Sequence, residues 1–422
     1  MGSPKHPLLP QSPHSRRQEI RARLRLPPQE LSDDEESGDG TEAGRSESSC
    51  WHGSAFKAGL LIVVALSAAL LGTNRASCGT SGGVTPADQY PQFLVVGDWG
   101  RGGKHNQTKV AAAMARKAEA MRTDFVLSTG DNFYPSGLLS PEDPAFDASF
   151  TSIYHQPSLQ VPWHAALGNH DHGETADPSS PACGAWDPAC FYSPLNELDA
   201  RLAQRDARWH CERSFVLSLA GGAVDVFFLD TTPLLLEYAA VPWRANRGGL
   251  EEQSWEGQLR ELEARLARSA AGWKLVVGHH PIRTTHRKWH AWAEMVEHVE
   301  PLLTKYGVQA YLCGHDHNLQ LLHKPGTGYW HVTSGGGSRV GPKFRGTKHA
   351  LFQHGGNGFV AVRLSPSLMA VEYMGLDSEQ PLYSIHIARD GSRAVDDASH
   401  ASGDGGQAGD EPGTGDGPSS QE

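Results

Sequence analysis

Five short motifs, in one order, limit what this chain can fold into: Gly97-Asp98-Trp99-Gly100, Gly130-Asp131-Asn132-Phe133-Tyr134, Gly168-Asn169-His170-Asp171, Gly278-His279-His280-Pro281 and Gly314-His315-Asp316-His317. Each follows an apolar run with the length of a strand (93–96, 125–127, 161–167, 274–277 and 309–312), and each sets a glycine directly before a side chain of metal-ligand type. In open α/β sheets, sites form just beyond the carboxyl ends of strands. One such motif is adequately explained as a polar loop with an ordinary cap. Five in succession point to a shared edge where carboxylates, an amide, imidazoles and a phenol converge.

The rest of the pattern supplies the frame. Residues 108–121 read as an Ala-rich helix that Thr108 can cap, and 251–267 and 289–306 as amphipathic helices between strands. Residues 224–229 add a further strand to this alternating group. Toward the C-terminus, 329–333, 358–364, 369–374 and 382–387 read as strands without long helices between them. Alternating β and α units followed by a β-rich end predict an α/β domain with mixed sheets. No internal repeat is evident, and 422 residues suffice for one large core or two average ones.

The net charge of -11 argues against a general nucleic-acid binder, which carries a basic field. Much of that acidity lies at the two ends. Residues 1–57 are rich in Ser, Pro, Gly and charge and read as a disordered tail. Residues 58–72, AGLLIVVALSAALLG, carry no charge. The run is shorter than the roughly 20 residues usual for a spanning helix. It has the length of a signal-peptide core but lies far from the N-terminus. A type II signal anchor is the first expectation; a late cleaved signal, with Ala76-Ser77-Cys78 near the cut, is the second. Basic residues within 16–25 and Lys57 favour an N-terminus inside. Either way the remainder leaves the cytosol, as a lumenal or extracellular domain that is membrane-anchored or secreted. Residues 73–90 read as a linker, 91–389 as the globular domain and 390–422 as a disordered acidic tail.

Six cysteines are too few for a disulfide scaffold. Cys183 and Cys190 bracket a short loop compatible with a local disulfide, and Cys313 in its apolar run reads as a buried thiol. Asn106-Gln107-Thr108 is an N-glycosylation sequon.

Ligand chemistry narrows the site. Asp98, Asp131 and Tyr134 are hard oxygen donors suited to a ferric or other highly charged ion. Asn169 and the imidazoles of His279, His315 and His317 suit a softer divalent ion such as Fe(II), Zn or Mn. A carboxylate between two ions can bridge them at the roughly 3.5–4 Å separation of two-metal hydrolases. No Gly-x-Ser-x-Gly elbow is present. The glycine-rich 97–104 segment is not a P-loop, because its spacing fails and His105 stands where Ser or Thr should follow the lysine.

The ordered set resembles the metallophosphoesterase superfamily, and Tyr134 narrows the resemblance to the purple acid phosphatases. Val96-Gly-Asp-Trp-Gly, Leu127-Ser-Thr-Gly-Asp-Asn-Phe-Tyr, Gly168-Asn-His-Asp-His and Tyr311-Leu-Cys-Gly-His-Asp-His-Asn-Leu-Gln are similar to the small tartrate-resistant acid phosphatases, from about Gln92 to Ile387. The resemblance implies a four-layer α-β-β-α sandwich with two mixed sheets, the calcineurin-like metallophosphoesterase fold. It implies a monomeric binuclear-metal acid phosphatase that hydrolyses phosphomonoesters, small molecules or phosphoproteins, with a metal-bound hydroxide as nucleophile. Carried over residue by residue, Asp98, Tyr134 and His317 would hold Fe(III). Asn169, His279 and His315 would hold the divalent ion, and Asp131 would bridge. His170 would contact the phosphate. A second non-ligand histidine is expected downstream of Gly-His-x-Pro, where His286 and His290 both remain candidates. His280 is expected to point elsewhere, and His164, His172, His298, His323 and His331 to be structural or solvent-facing. The 244–249 segment lies where relatives carry a loop over the site and is expected to shape access. A phosphodiesterase or protein phosphatase is the alternative enzyme, but those branches lack the phenol. A membrane-anchored, non-catalytic scaffold of the same fold is the other alternative, and scaffolds tend to lose ligands that are all present here.

Overall fold

The computed structural model describes residues 89–174, 191–285, 291–341 and 349–394, together with Glu19, Phe344 and Thr347. The apolar run 58–72, the Cys183 and Cys190 loop, His286 and His290 lie outside the described residues. Among the described residues no helix is long and apolar enough to cross a membrane.

Two seven-stranded mixed sheets form the frame. The first runs β14 (Tyr383–Ala388), β13 (Leu368–Met374), β12 (Phe359–Leu364), β1 (Gln92–Val96), β2 (Phe125–Ser128), β3 (Trp163–Ala165) and β4 (Trp209–Cys211). The second runs β11 (Ala350–His354), β9 (Leu319–Leu322), β10 (Trp330–Ser334), β8 (Ala310–Cys313), β7 (Trp273–Val277), β6 (Val224–Phe228) and β5 (Val216–Leu219). Strands β1 to β4 are mutually parallel, as are β6, β7, β8 and β10; the β-rich C-terminal end adds antiparallel neighbours.

The layering follows from alternation along each strand. In β1, Phe93 and Val95 face the second sheet, where they join Leu275, Val277, Leu312 and Val332 in one buried cluster. Leu94 and Val96 face outward and pack with α1 (Gln107–Met121) through Val110, Met114, Ala118 and Met121. These four recur at helical spacing on one face, and truncating fully buried Met114 to alanine would cost about 2–5 kcal/mol. On the outer face of the second sheet, Phe227 and Val276 pack with Leu262 and Leu266 of α3 (Trp255–Arg268), and with Met295 of α4 (Ala293–His298) and Leu303 of α5 (Glu300–Lys305). A further helix, α2 (Ala200–Arg205), lies beside β4. The order is helix, sheet, sheet, helix.

Several local expectations are corrected. Asn106, in the left-handed conformation, precedes α1 and makes no side-chain cap, while the Thr108 hydroxyl donates back to Gly103 O. Within the expected 289–306 helix, the described residues from 291 on form two short ones, because Pro301 in the first turn of α5 cannot continue α4. The 251–267 helix begins only at Trp255, where Ser254 caps it by accepting the Gly257 N–H. Strands β4, β5, β9 and β11 are additional to those expected.

Candidate metal centre

The carboxyl ends of β1, β2, β3, β7 and β8 meet where the two sheets touch. Gly97 N–H donates to Ser334 O at 2.7 Å, and His315 N–H donates to Asp98 Oδ2 at 3.0 Å, so the turns after β1, β8 and β10 are tied together. Asp98, Asp131 and His315 all have positive φ, of 61°, 52° and 65°. Left-handed backbone at a non-glycine residue costs roughly 1–3 kcal/mol and collects at functional sites. Here the cost falls on three of the candidate ligands.

The donor atoms form two adjoining groups. In one, Tyr134 Oη lies 2.8 Å from Asp131 Oδ2, 3.3 Å from Asp98 Oδ1 and 3.0 Å from His317 Nε2. Ligand atoms of Asp98, Asp131 and His317 all lie within 4.8 Å of one another. In the other, Asn169 Oδ1 lies 2.9 Å from His279 Nε2 and 3.1 Å from His315 Nδ1, which are 3.3 Å apart. Asp131 faces both, with Oδ1 3.4 Å from His279 Nε2. All seven sequence-derived ligand candidates are thus brought together.

Surrounding groups aim these atoms. His279 Nδ1 lies 2.9 Å from Thr129 O, which can only accept, so the neutral ring presents a lone pair at Nε2. Asn169 Nδ2 donates to Glu174, which turns Oδ1 into the site. Asp171 accepts the N–H groups of Asn132 and Gly168, each at 2.8 Å, and locks the second and third motif loops together. Burial and then Asp131 push Asp171 up to about 6. Burial and Asp171, to which it is hydrogen-bonded, push the Glu197 carboxyl well above its usual range.

The donor set fits a positively charged guest. Burial alone would raise Asp131, yet His279, with His170 and His315, holds its carboxyl well below the usual range. Burial alone would lower His279, and Asp131 reverses this, lifting it to about 10. Burial and the two aspartates push the Tyr134 phenol well up. Without an added cation the cluster retains protons to offset its own negative charge. Two metal ions would supply that charge and leave every lone pair directed at a partner.

His170 stands beside this cluster without joining it. Its backbone N–H donates to Asp131 Oδ1 at 3.0 Å, its Nδ1 lies 2.5 Å from Pro135 O, and its Nε2 is 4.0 Å from Asp131 Oδ2. His280 also lies close to the ligand group. However, its Nδ1 is 2.9 Å from Thr231 Oγ1 and its Nε2 is 2.9 Å from Tyr238 Oη, so both nitrogens are occupied. The five histidines expected to be structural or solvent-facing each have internal partners. His172 binds buried Asp230 at 3.0 Å, His164 stacks on His210, His298 packs on Trp255, His323 stacks on Trp330, and His331 Nε2 accepts the Ile282 N–H at 3.0 Å. Asn246 of the 244–249 segment donates to His172 O, setting that segment against the His170–His172 turn.

Sequence reasoning gave no role to Arg101, Asn132, Asp171, Glu174 or Asp230. Asn132 and Asp171 lie inside the motifs, which could have drawn attention to them. Glu174 and Asp230 carry no pattern; only the fold brings them near.

Residues 91–319 match the calcineurin-like phosphoesterase family. Purple acid phosphatase 3 of Arabidopsis thaliana is 37% identical, over 68% of this chain and 75% of its own length. Tartrate-resistant acid phosphatase type 5 of Homo sapiens is 32% identical, over 73% of this chain and 93% of its own. Among solved structures, GAP50, described as the anchor in the inner membrane complex of Plasmodium, superposes with a TM-score of 0.53 at 20% identity, covering 70% of this chain and 88% of that one. At that identity the likeness is one of fold alone.

Proposed function

We propose, for a chain that belongs to the purple acid phosphatases of the calcineurin-like phosphoesterase family, a specific division of labour among its site residues. The enzyme is an acid phosphatase with a dinuclear metal centre. Asp98, Tyr134 and His317 would hold Fe(III); Asn169, His279 and His315 would hold a divalent ion, Fe(II), Zn or Mn; and Asp131 would serve both. When bound, such a pair supplies an activated water and neutralises charge on the phosphoryl group in flight.

The chain's own residues do the rest. His170 carries its hydrogen at Nδ1 against Pro135 O, and its Nε2, 4.0 Å from Asp131 Oδ2, is the nitrogen that would meet a phosphate oxygen or the departing alkoxide. In its protonated form it would bind the phosphate and pass a proton to the leaving oxygen. The 169–174 turn and the 244–249 segment packed on it border the approach to this histidine. The second histidine of the family, His286 or His290, completes the set in this reading.

The observation that carries the proposal is Asp131, whose two oxygens face the two donor groups separately. The complete donor set favours an enzyme over a scaffold. Phosphomonoester and phosphodiester hydrolysis by the metal-loaded protein, compared at acid pH, tests it. Monoester turnover should dominate and should vanish on chelation; diester preference would overturn the proposal.

Placement forms part of the same reading. Residues 58–72 anchor a monomeric chain in a membrane, and the catalytic domain is lumenal or extracellular and glycosylated at Asn106. That side chain lies exposed ahead of α1, its Nδ2 donating to Asn357 Oδ1 at 2.8 Å.

A further inference from the structure

The loop after β1 and the loop after β2 touch so closely that a side chain is excluded between them. A Cβ on Gly100 would lie 1.7 Å from Asn132 O, and across this contact Tyr134 N–H donates to Gly100 O at 2.8 Å. The contact sets the next residue, Arg101, over the phenol: its guanidinium carbon is 3.4 Å from the centroid of the Tyr134 ring. The Arg101 backbone N–H donates to Gln107 Oε1, and Gln107 in turn donates to Ser149 O, so the residue is held from its other side as well.

The guanidinium is unusual in what it lacks. Its Nε and Nη2 are buried with no hydrogen-bond partner, and no carboxylate of the described residues pairs with it. Guanidinium N–H groups withdrawn from water normally find acceptors. For these two nitrogens the ring face is the compensation at hand, and a neutral phenol offers only a modest cation–π attraction. A phenolate carries a full negative charge spread into that ring and fits the cation far better.

We propose that Arg101 is a positioning residue for Tyr134: it clamps the ring face and stabilises the metal-bound phenolate, thereby tuning the iron. This rests on Tyr134 being an iron ligand. The sign of the effect follows from distance. Arg101 lies against the ring, closer to the phenolate π electrons than to the metal beyond Oη. It therefore lowers the donor orbital more than the acceptor orbital and widens the ligand-to-metal charge-transfer gap. Its charge also favours Fe(II) over Fe(III).

The test compares full-length, iron-loaded wild type with Arg101→Gln and Arg101→Lys, reading iron content, the visible charge-transfer maximum and the Fe(III)/Fe(II) potential. In Arg101→Gln, iron content should hold, the band should move to longer wavelength and the potential should fall. Arg101→Lys should restore part of both shifts. A coloured wild type with an unshifted band and potential in Arg101→Gln would overturn the role of Arg101 while leaving Tyr134 as a ligand. A colourless wild type with full iron would overturn both. Loss of iron from both variants would also overturn it, since Arg101 would then build the site instead of tuning it.

Discussion

Asp131 Oδ1 accepts the backbone N–H of His170 at 3.0 Å, so the carboxylate that faces both donor groups also positions the histidine beside them. In the proposed assignment, bridge and proton carrier form one mechanical unit. Gly168 makes that unit possible, because a Cβ there would lie 2.1 Å from Asp131 Oδ1 and 2.4 Å from Asp131 N.

Gly168→Ala should therefore behave as a bridge mutation without removing a ligand. Backbone cannot yield as a flexible side chain does, so the Asp131 carboxylate should be displaced. Metal content should drop for both ions together, as in Asp131→Asn. Full occupancy by elemental analysis would show that the loop absorbs the methyl group.

His170→Ala should do the opposite. The side chain packs beside Tyr134 and Asp131 but is not one of the seven ligand candidates, so both ions should remain. Turnover should fall by roughly 10²–10⁴-fold, the usual contribution of a positioned acid or base. Loss of metal from this variant would make His170 a ligand.

His331 sets an acid limit on stability. Burial and then Arg283 push its imidazole down to about 3, and its Nε2 accepts the Ile282 N–H, so the folded state keeps it neutral. The unfolded chain takes up a proton below about 6.5. Its stabilising contribution is thus fully present above that value and is lost as pH falls toward 3. Each pH unit inside the window costs about 1.4 kcal/mol. Urea unfolding between pH 6.5 and 4.5 should show a steeper loss in wild type than in His331→Gln, by about 2–3 kcal/mol. Parallel curves would remove His331 from the acid response.

Legibility from sequence divides by range. The seven ligand candidates were readable because parallel strands carry their chemistry at one end, and a glycine turn marks each end. Strand β1 was readable from four apolar residues in a row, since both its faces are buried. Strand β9 was not, because Leu319–Leu322 follows the last histidine motif without a turn signal of its own. The break between α4 and α5 was hidden by an apolar period that runs through it, although Pro301 marks the spot. The Glu174 grip on Asn169 and the Asp230 grip on His172 depend on packing between distant segments. So does Arg101 on Tyr134, set by a contact between two loops.

Topology has its own check. The 15-residue apolar run at 58–72 spans only ~22 Å as a helix at ~1.5 Å per residue, so flanking Ala55 and Phe56 must contribute if it stays anchored. Protease added to intact vesicles should trim the N-terminal tail and spare the phosphatase domain. A digested domain with a protected tail would reverse the orientation, and a mature chain beginning near Gly79 would mean cleavage instead of anchoring.

Metal content and visible spectrum of the purified catalytic protein, measured on one sample, bear on the centre most directly. Two metal ions per chain, at least one of them iron, with a pink to purple colour that Tyr134→Phe abolishes, are the expected result. A phosphatase-active protein with a single ion per chain, or with full iron and no visible band, would contradict the arrangement around Asp131 and Tyr134.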